Sequence, residues 1–490
     1  MYETRRQHPL AVVHAFYNYI ILLVLPLLRS LTLLRGGVLA WVQGVWQDAL
    51  VLVCILLFGY LRWRMNVYRI ADGGMVFQEG VLFRRSRYIG CDRVASVTIE
   101  HPFYLRPFHV VRLRLETDAG SRKEPDVSLL LRQDAAEEIA AAVGSVLEQK
   151  RLVRTYTPNS WSVAFLSLIT SDSLTGVLFA STLISQTGRL LGQEAEERLI
   201  TGLTRLMQVL AFGLPPLAAV LAMTLLGGWL LDFVKNLIRH LGFTATRDGE
   251  RLQVRVGVLT VREYGLSVEK INYLQLRQSL LTRLLGYCSV MINCTGYGKE
   301  KNELAVLLPA ADQREVRRGL RMILPEIRPS HGGCHPTLRT LTRFLIPPLT
   351  ALGVILLVLA VGWYFLPGLH QLLFFLGLMA ILPALWWLLV KIAAFRFVGL
   401  EVKGSTCTFH TVFGYAFYTT SAPKAKIALA ETRQSLFQRM SGCCDVVIRL
   451  RSEKGRRIVV QNIPQGEAEN FLREFSGCPV RISSRCTVFL

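Results

Sequence analysis

The sequence predicts an integral membrane protein of α-helical hairpins plus α+β units. A two-helix transmembrane hairpin followed by a small half-open β-barrel with a C-terminal helix is repeated three times. Three observations predict this. The chain is 51% apolar with a mean hydropathy of +0.36, yet carries 56 Lys and Arg against 35 Asp and Glu over 490 residues. High hydropathy with a basic excess is what a chain with cationic flanks beside a bilayer shows. Its apolar runs come in pairs. Lastly, "RQSLLTRLLGYCSVMINC" (277–294) and "RQSLFQRMSGCCDVVIRL" (433–450) are identical at nine of eighteen positions, 156 residues apart and without a gap. Self-similarity on that scale signals a repeated structural unit.

A span needs roughly 20 mostly apolar residues. The runs at 10–28, 45–61, 161–185, 208–233, 342–366 and 371–394 qualify, giving hairpins within 1–64, 151–239 and 329–394. The first run follows charges, as a signal peptide would, but its nineteen residues lack a small-residue cleavage site and read as a retained span. Arg5, Arg6, Arg62, Arg64, Lys150, Arg151, Lys235, Arg239, Arg339, Arg343, Lys391 and Arg396 all flank one side of these runs. The positive-inside rule therefore places both termini and everything between the hairpins in the cytoplasm of a six-span protein at the cell membrane.

Each hairpin is followed by a soluble segment, at 65–150, 240–328 and 395–478, with a tail at 479–490. In the second, "FTATRDGERLQVRVGVLTVREYGLSVEKINYLQL" alternates apolar and polar residues about an Asp248-Gly249 turn, the signature of hairpin strands. Gly257 permits a sharp change of direction. Leu280, Leu281, Leu284 and Leu285 then mark one apolar-faced helical turn, Val290 and Ile292 resume a strand, and "LAVLLP" adds another. "DQREVRRGLRMIL" closes the unit as a helix, with Asp312 near its N-terminus and Val316, Leu320 and Ile323 on one face. Shifted back by 177 residues, Gly80-Val81-Leu82 matches Gly257-Val258-Leu259 and Arg106 matches Arg283. Shifted forward by 156, Lys426-Ile427 matches Lys270-Ile271 and Arg439 matches Arg283. Each unit thus has six or seven short strands and one closing helix.

A hairpin, then a Gly-Val-Leu step, then "EKI", then "QSLLTRLLG…V.I", resembles the membrane-flanked (DUF304-like) bacterial pleckstrin-homology-like domain, and three such units resemble YdbT-type membrane proteins. The likeness covers residues 1 to about 478. It is plainest in the second unit and faintest in the third, where Phe413-Gly414 stands in for Gly-Val-Leu. It implies a pleckstrin-homology-like (PH-like) fold and a membrane location. It brings no catalytic residues with it, so no enzymatic activity and no cofactor is expected.

Two residue groups are candidates for binding. Arg106, Arg283 and Arg439 recur at one point of the repeat; they either form a cationic binding surface or cover the apolar turn with their stems. Asp172, with Ser171 and Ser173 beside it, falls in the middle of the third span, where a carboxylate costs about 3 kcal/mol on insertion scales. It reads as an intramembrane polar site or as a polar break packed against other helices. Pro215-Pro216 and Pro347-Pro348 are expected to interrupt the fourth and fifth spans. "HGGCH" (331–335) offers three soft ligands where zinc prefers four, and reads as linker; no metal site is expected. The ten scattered cysteines contain no Cys-x-x-Cys and read as reduced cytoplasmic thiols. No nucleic-acid signature accompanies the basic charge. The first hairpin turns, "ADGGM" and "TRDGER", lack the clustered cations that a specific phosphoinositide site needs.

The expected partners are the lipid bilayer and either another membrane protein or a second copy. The leading expectation is a scaffold or binding protein presenting three cytoplasmic PH-like domains in an envelope role. The alternative is a transporter or export component whose six-helix bundle is regulated by those domains.

Overall fold

Alternation of apolar and polar residues turns each soluble segment into six antiparallel strands closed by one helix, and the same plan is built three times. The computed structural model describes residues 4–12, 38–71, 73–80, 83–117, 126–144, 154–170, 201–202, 216–297, 305–330, 332–452 and 456–476.

The first unit runs through β1 (Arg5–Arg6), β2 (Val67–Ala71), β3 (Gly74–Glu79), β4 (Arg85–Gly90), β5 (Val94–Pro102), β6 (Val110–Thr117), β7 (Val127–Arg132) and the helix Gln133–Gly144. The second has β8 (Arg154–Tyr156), β9 (Thr244–Asp248), β10 (Arg251–Val256), β11 (Thr260–Ser267), β12 (Ile271–Ser279), β13 (Tyr287–Cys294), β14 (Val306–Asp312) and the helix Gln313–Ile323. The third has β15 (Gly399–Lys403), β16 (Thr406–Phe413), β17 (Ala416–Pro423), β18 (Ile427–Arg433), β19 (Cys443–Leu450), β20 (Arg457–Pro464) and the helix Gln465–Ser476.

Each unit has its own core, with Tyr273 of the second unit packing into that of the third, but the sheets are shared. Met75, Phe77 and Ile89 pack with Leu113, Leu129 and Ile139 in the first unit, and separate clusters fill the second and third. The hydrogen-bonded order, however, is β7-β6-β5-β11-β10-β9-β8 in one sheet and β14-β13-β12-β17-β16-β15 in another. The last three strands of each unit therefore continue into the first three of the next. At the first seam Pro102 pairs with Thr260, and at the second Ser279 pairs with Ala416. A shift of 177 carries Pro102 to Ser279, and a shift of 156 carries Thr260 to Ala416, so the two seams share one register. Within each unit a bulge recurs at equivalent places, between Val94 and Ser96, Ile271 and Tyr273, and Ile427 and Leu429, in the pairing with the unit's own next strand.

The chain also closes on itself around each hairpin. Arg6 pairs with Val67, Tyr156 with Ala245, and Cys334 with Leu400, so the residues entering a hairpin lie beside those leaving it. Sequence periodicity gave no sign of these short strands. In the linker, the Cys334 backbone bonds that of Leu400, and His335 Nδ1 lies 3.0 Å from the Val398 carbonyl; His331 lies outside the described residues.

Two helical stretches, Leu338–Phe365 and Leu373–Phe397, are long and apolar enough to cross a membrane, and few of their residues are buried. A soluble core helix would be mostly buried, so this surface needs an apolar surround. They match the expected fifth and sixth spans and fold back through a short turn, where His370 stacks on Trp363 at 4.1 Å. The helices Val38–Met65 and Pro216–His240 cover the expected second span and most of the fourth, and Ser160–Thr170 the start of the third. The first span lies almost wholly outside the described residues. One expectation is corrected here. Pro347 and Pro348 do not interrupt the fifth helix, which runs unbroken from Leu341 to Phe365. They stand in its second turn, where each forfeits one i→i−4 bond, to the carbonyls of Arg343 and Phe344, without ending the helix.

Candidate functional site

The repeated phrase places Arg283 in a short helix, Leu280–Leu284, set by a capping box between Ser279 and Thr282. The third unit repeats it in Leu436–Met440, with Ser435 and Gln438. The buried member is the polar capping partner, Thr282 or Gln438. The apolar residues of the turn, Leu281, Leu284 and Leu285, and likewise Leu436, Phe437 and Met440, are exposed. The apolar turn is thus not core, contrary to its sequence pattern, because the capping box points the polar side chain inward. Arg343, in the first turn of the Leu341–Phe365 helix, donates to the Phe437 carbonyl and to Ser441 Oγ. These apolar tips therefore stand beside the ends of the long apolar helices.

The three equivalent arginines have different surroundings. Arg106 donates to the carbonyls of Val258 (2.6 Å) and Leu259 (3.2 Å), tying the first unit to a turn of the second. Arg283 reaches the third unit, its guanidinium 4.4 Å from the Phe397 ring centre and 5.1 Å from that of Phe417. Burial pulls the Arg283 guanidinium below its ordinary value, and its Nη1 has no hydrogen-bond partner among the described residues. Arg439 is exposed, and no described residue lies over it as the third unit lies over Arg283.

Arg283 lines a cleft of about 940 Å³ between the second and third units. Six cations converge there, Arg283, Arg317, Arg321, Arg328, Arg396 and Lys403, against the single carboxylate of Glu401. Glu401 accepts from the Gly332 amide at 3.0 Å, and the nearby acid Glu315 is engaged by the Tyr156 hydroxyl at 2.9 Å. The helix Gln313–Ile323 extends the cationic surface through Arg314 and Arg318, which line an adjoining hollow with Arg154. Arg396 and Phe397 end the second long apolar helix, so one end of the cleft meets its base. An unpaired, half-buried guanidinium among like charges is costly unless an anion joins it. The arrangement can hold an oxyanion by charge-assisted hydrogen bonds. Among the described residues no three His, Cys, Asp or Glu side chains could together hold a metal ion.

The sequence singled out Arg283 but not the cleft, because its walls come from three distant segments. Asp172, Ser171 and Ser173 lie outside the described residues, as does Pro215.

Comparison with known proteins bears on the repeat. The family model described as "Bacterial PH domain" matches this chain three times, over residues 13–146, 199–322 and 342–477. The UPF0699 transmembrane protein YdbT of Bacillus subtilis (strain 168) is 21% identical over 373 residues, 70% of this chain and 74% of that protein. No solved structure matches.

Proposed function

The chain belongs to the bacterial PH domain family, and on that premise we propose that it is a non-enzymatic, multi-pass membrane scaffold. Its three PH-like units form one platform at the cytoplasmic face, and the cleft between the second and third binds an anionic phospholipid headgroup. The likeness to a transmembrane protein and the two exposed apolar helices support the membrane location. The strand pairing at the base of each hairpin supports the topology: a segment whose two ends lie side by side crosses a bilayer an even number of times. Three hairpins of two spans then leave all three units on one side.

The observation that carries the binding reading is Arg283, held over two aromatic rings with a free Nη1 in a six-cation cleft. The cleft opens at the base of an apolar helix, where a headgroup enters while its acyl chains stay in the bilayer. Cations at such a surface contribute about 1 kcal/mol each. The charge is spread over separate elements rather than gathered in one loop, which suits a general phosphate diester better than a particular inositol phosphate. The exposed tips at Leu436, Phe437 and Met440 would rest in the interface beside the same helices.

Native mass spectrometry of the protein in mild detergent, titrated with phosphatidylglycerol and with phosphatidylcholine, tests this. The wild type is expected to retain phosphatidylglycerol selectively, and Arg283→Gln with Arg317→Gln to lose that selectivity while staying folded. Equal retention of both lipids by the wild type would defeat the reading.

The transport reading rests on Asp172, outside the described residues, and on interrupted helices, of which the Pro347-Pro348 pair is not one.

A further inference from the structure

The two seams leave one edge of each kind unused. β4 in the first unit is the equivalent of β11 and β17, both of which pair with a preceding unit; among the described residues β4 ends its sheet. β18 in the third unit is the equivalent of β5 and β12, both of which pair with a following unit; among the described residues β18 also ends its sheet. The chain therefore carries, at opposite ends, the two halves of a seam that it makes twice internally.

Burial separates the unused edge from the used ones. Three seam positions are Ser96, Thr98 and Glu100 in the first unit, at 1%, 4% and 3% exposure. In the second unit the first two are Tyr273 and Gln275, each at 5%. In the third unit the same positions are Leu429, at 42%, and Glu431 and Arg433, whose side chains are 32% and 51% exposed. On the opposite edge Arg85 and Tyr88 are exposed too. The arginine series agrees: Arg106 and Arg283 each reach into the next unit, and Arg439 is left exposed.

We propose that a second copy of this chain supplies the missing half: β18 of one copy pairs antiparallel with β4 of the next, in the register of the two internal seams. That register sets Arg433 opposite Arg85, Glu431 opposite Arg87, Ala430 opposite Tyr88 and Leu429 opposite Ile89, from the shifts that superpose the internal seams. Glu431 then lies between Arg433, which it already pairs with at 2.8 Å, and Arg87, which pairs with Glu79 at 2.6 Å, and this offsets the Arg433–Arg85 juxtaposition. Leu429 covers its exposed surface against Ile89. Backbone pairing supplies the affinity and these side chains the register. The contact is head-to-tail, so each added copy presents a fresh β18, and assembly proceeds to a ring or an open row. This deepens the scaffold reading and uses no residue of the cleft, so either can fail alone.

Disulfide trapping in native membranes tests it. Glu431→Cys with Arg87→Cys in one chain is expected to give an oxidant-dependent ladder of dimer, trimer and higher species, above the pattern of the parent protein. Glu431→Cys with Ser86→Cys, which sets the thiols on opposite faces, and each single variant should give none. A cross-linked dimer from Glu431→Cys alone, absent from the parent protein, would mean a twofold β18–β18 contact and would overturn the proposal. So would a cross-link to a different protein, or a folded double variant that stays monomeric after oxidation.

Discussion

Glu100 should hold the first seam together. It is buried in the middle of β5, and Arg112, Arg114 and Arg262 lie 3.6, 3.3 and 3.4 Å from its carboxylate. Arg112 and Arg114 belong to β6 of the same unit, but Arg262 stands directly across the seam on β11. All three arginines are less than a quarter exposed, so water screens them little. Glu100→Gln keeps the shape and removes the charge, leaving three cations around a neutral amide. Removing one member of a buried ion cluster costs about 3–5 kcal/mol. At 1.4 kcal/mol per factor of ten, the lower figure is about a 10²-fold rise in local opening. Amide hydrogen exchange of the full protein in detergent reads it directly. Amides of β5 and β11 should lose about two decades of protection by that conversion, while β12 and β17, whose seam rests on Gln275 and Thr420 instead, stay as in the wild type. Unchanged protection across β5 and β11 in a folded variant would refute the electrostatic account of this seam.

The turns and one surface pair give further predictions. Gly257→Ala should destabilise more than Gly414→Ala: both have positive φ, at 100° and 60°, but a Cβ at 257 would meet the Thr260 carbonyl oxygen at 2.3 Å whereas nothing lies within 4 Å of one at 414. The αL penalty alone is about 1–2 kcal/mol, so thermal unfolding should rank wild type, Gly414→Ala and Gly257→Ala in falling order. The hydrogen bond from Arg247 holds the Glu326 carboxyl below its ordinary value of 4.5. Its stabilising contribution is therefore full above that value and is lost as pH falls through the lowered one. The midpoint gap between wild type and Glu326→Gln should be open at neutral pH and close in acid; a gap independent of pH would contradict this. Removing residues 151–328 would bring β5 against β17, where Tyr418 takes the place of Arg262 opposite Glu100, so the resulting two-unit protein should unfold at a lower temperature than the full chain; an unchanged midpoint would contradict this.

Much of the fold was legible because it rests on local signals. The Asp248-Gly249 turn, the Gly257 corner and the Asp312 cap each lie where residue chemistry puts them, Gly249 at φ 57° and Asp312 accepting from the Gln313 amide at 2.7 Å. The internal repeat located all three units because the same alternation recurs at fixed shifts. The site was legible only as single residues. Arg283 stood out by recurrence, but the cleft around it needs the linker at 325–332 and the base of the last long helix brought beside the second unit.

What stayed hidden was the sharing of sheets, and the reason is chemical. A central strand buried on both faces normally reads as a continuous apolar run. β5 reads Val-Ala-Ser-Val-Thr-Ile-Glu-His-Pro, an alternation that argues for one face in water, yet Ser96, Thr98 and Glu100 are all buried. The second seam is polar in the same way, with Gln275 donating to Thr420 Oγ1 at 3.0 Å and both residues buried. A polar seam makes each unit's own core, rather than the junction, the main source of apolar burial, although Tyr273 of β12 packs into the third unit's core. The docking energy must then come from backbone pairing and from a few matched polar contacts, which depend on register far more steeply than apolar packing does. The bulge that recurs in β5, β12 and β18 lies in each unit's own pairing, with β6, β13 and β19, so it shapes the unit and leaves the seam register to those contacts.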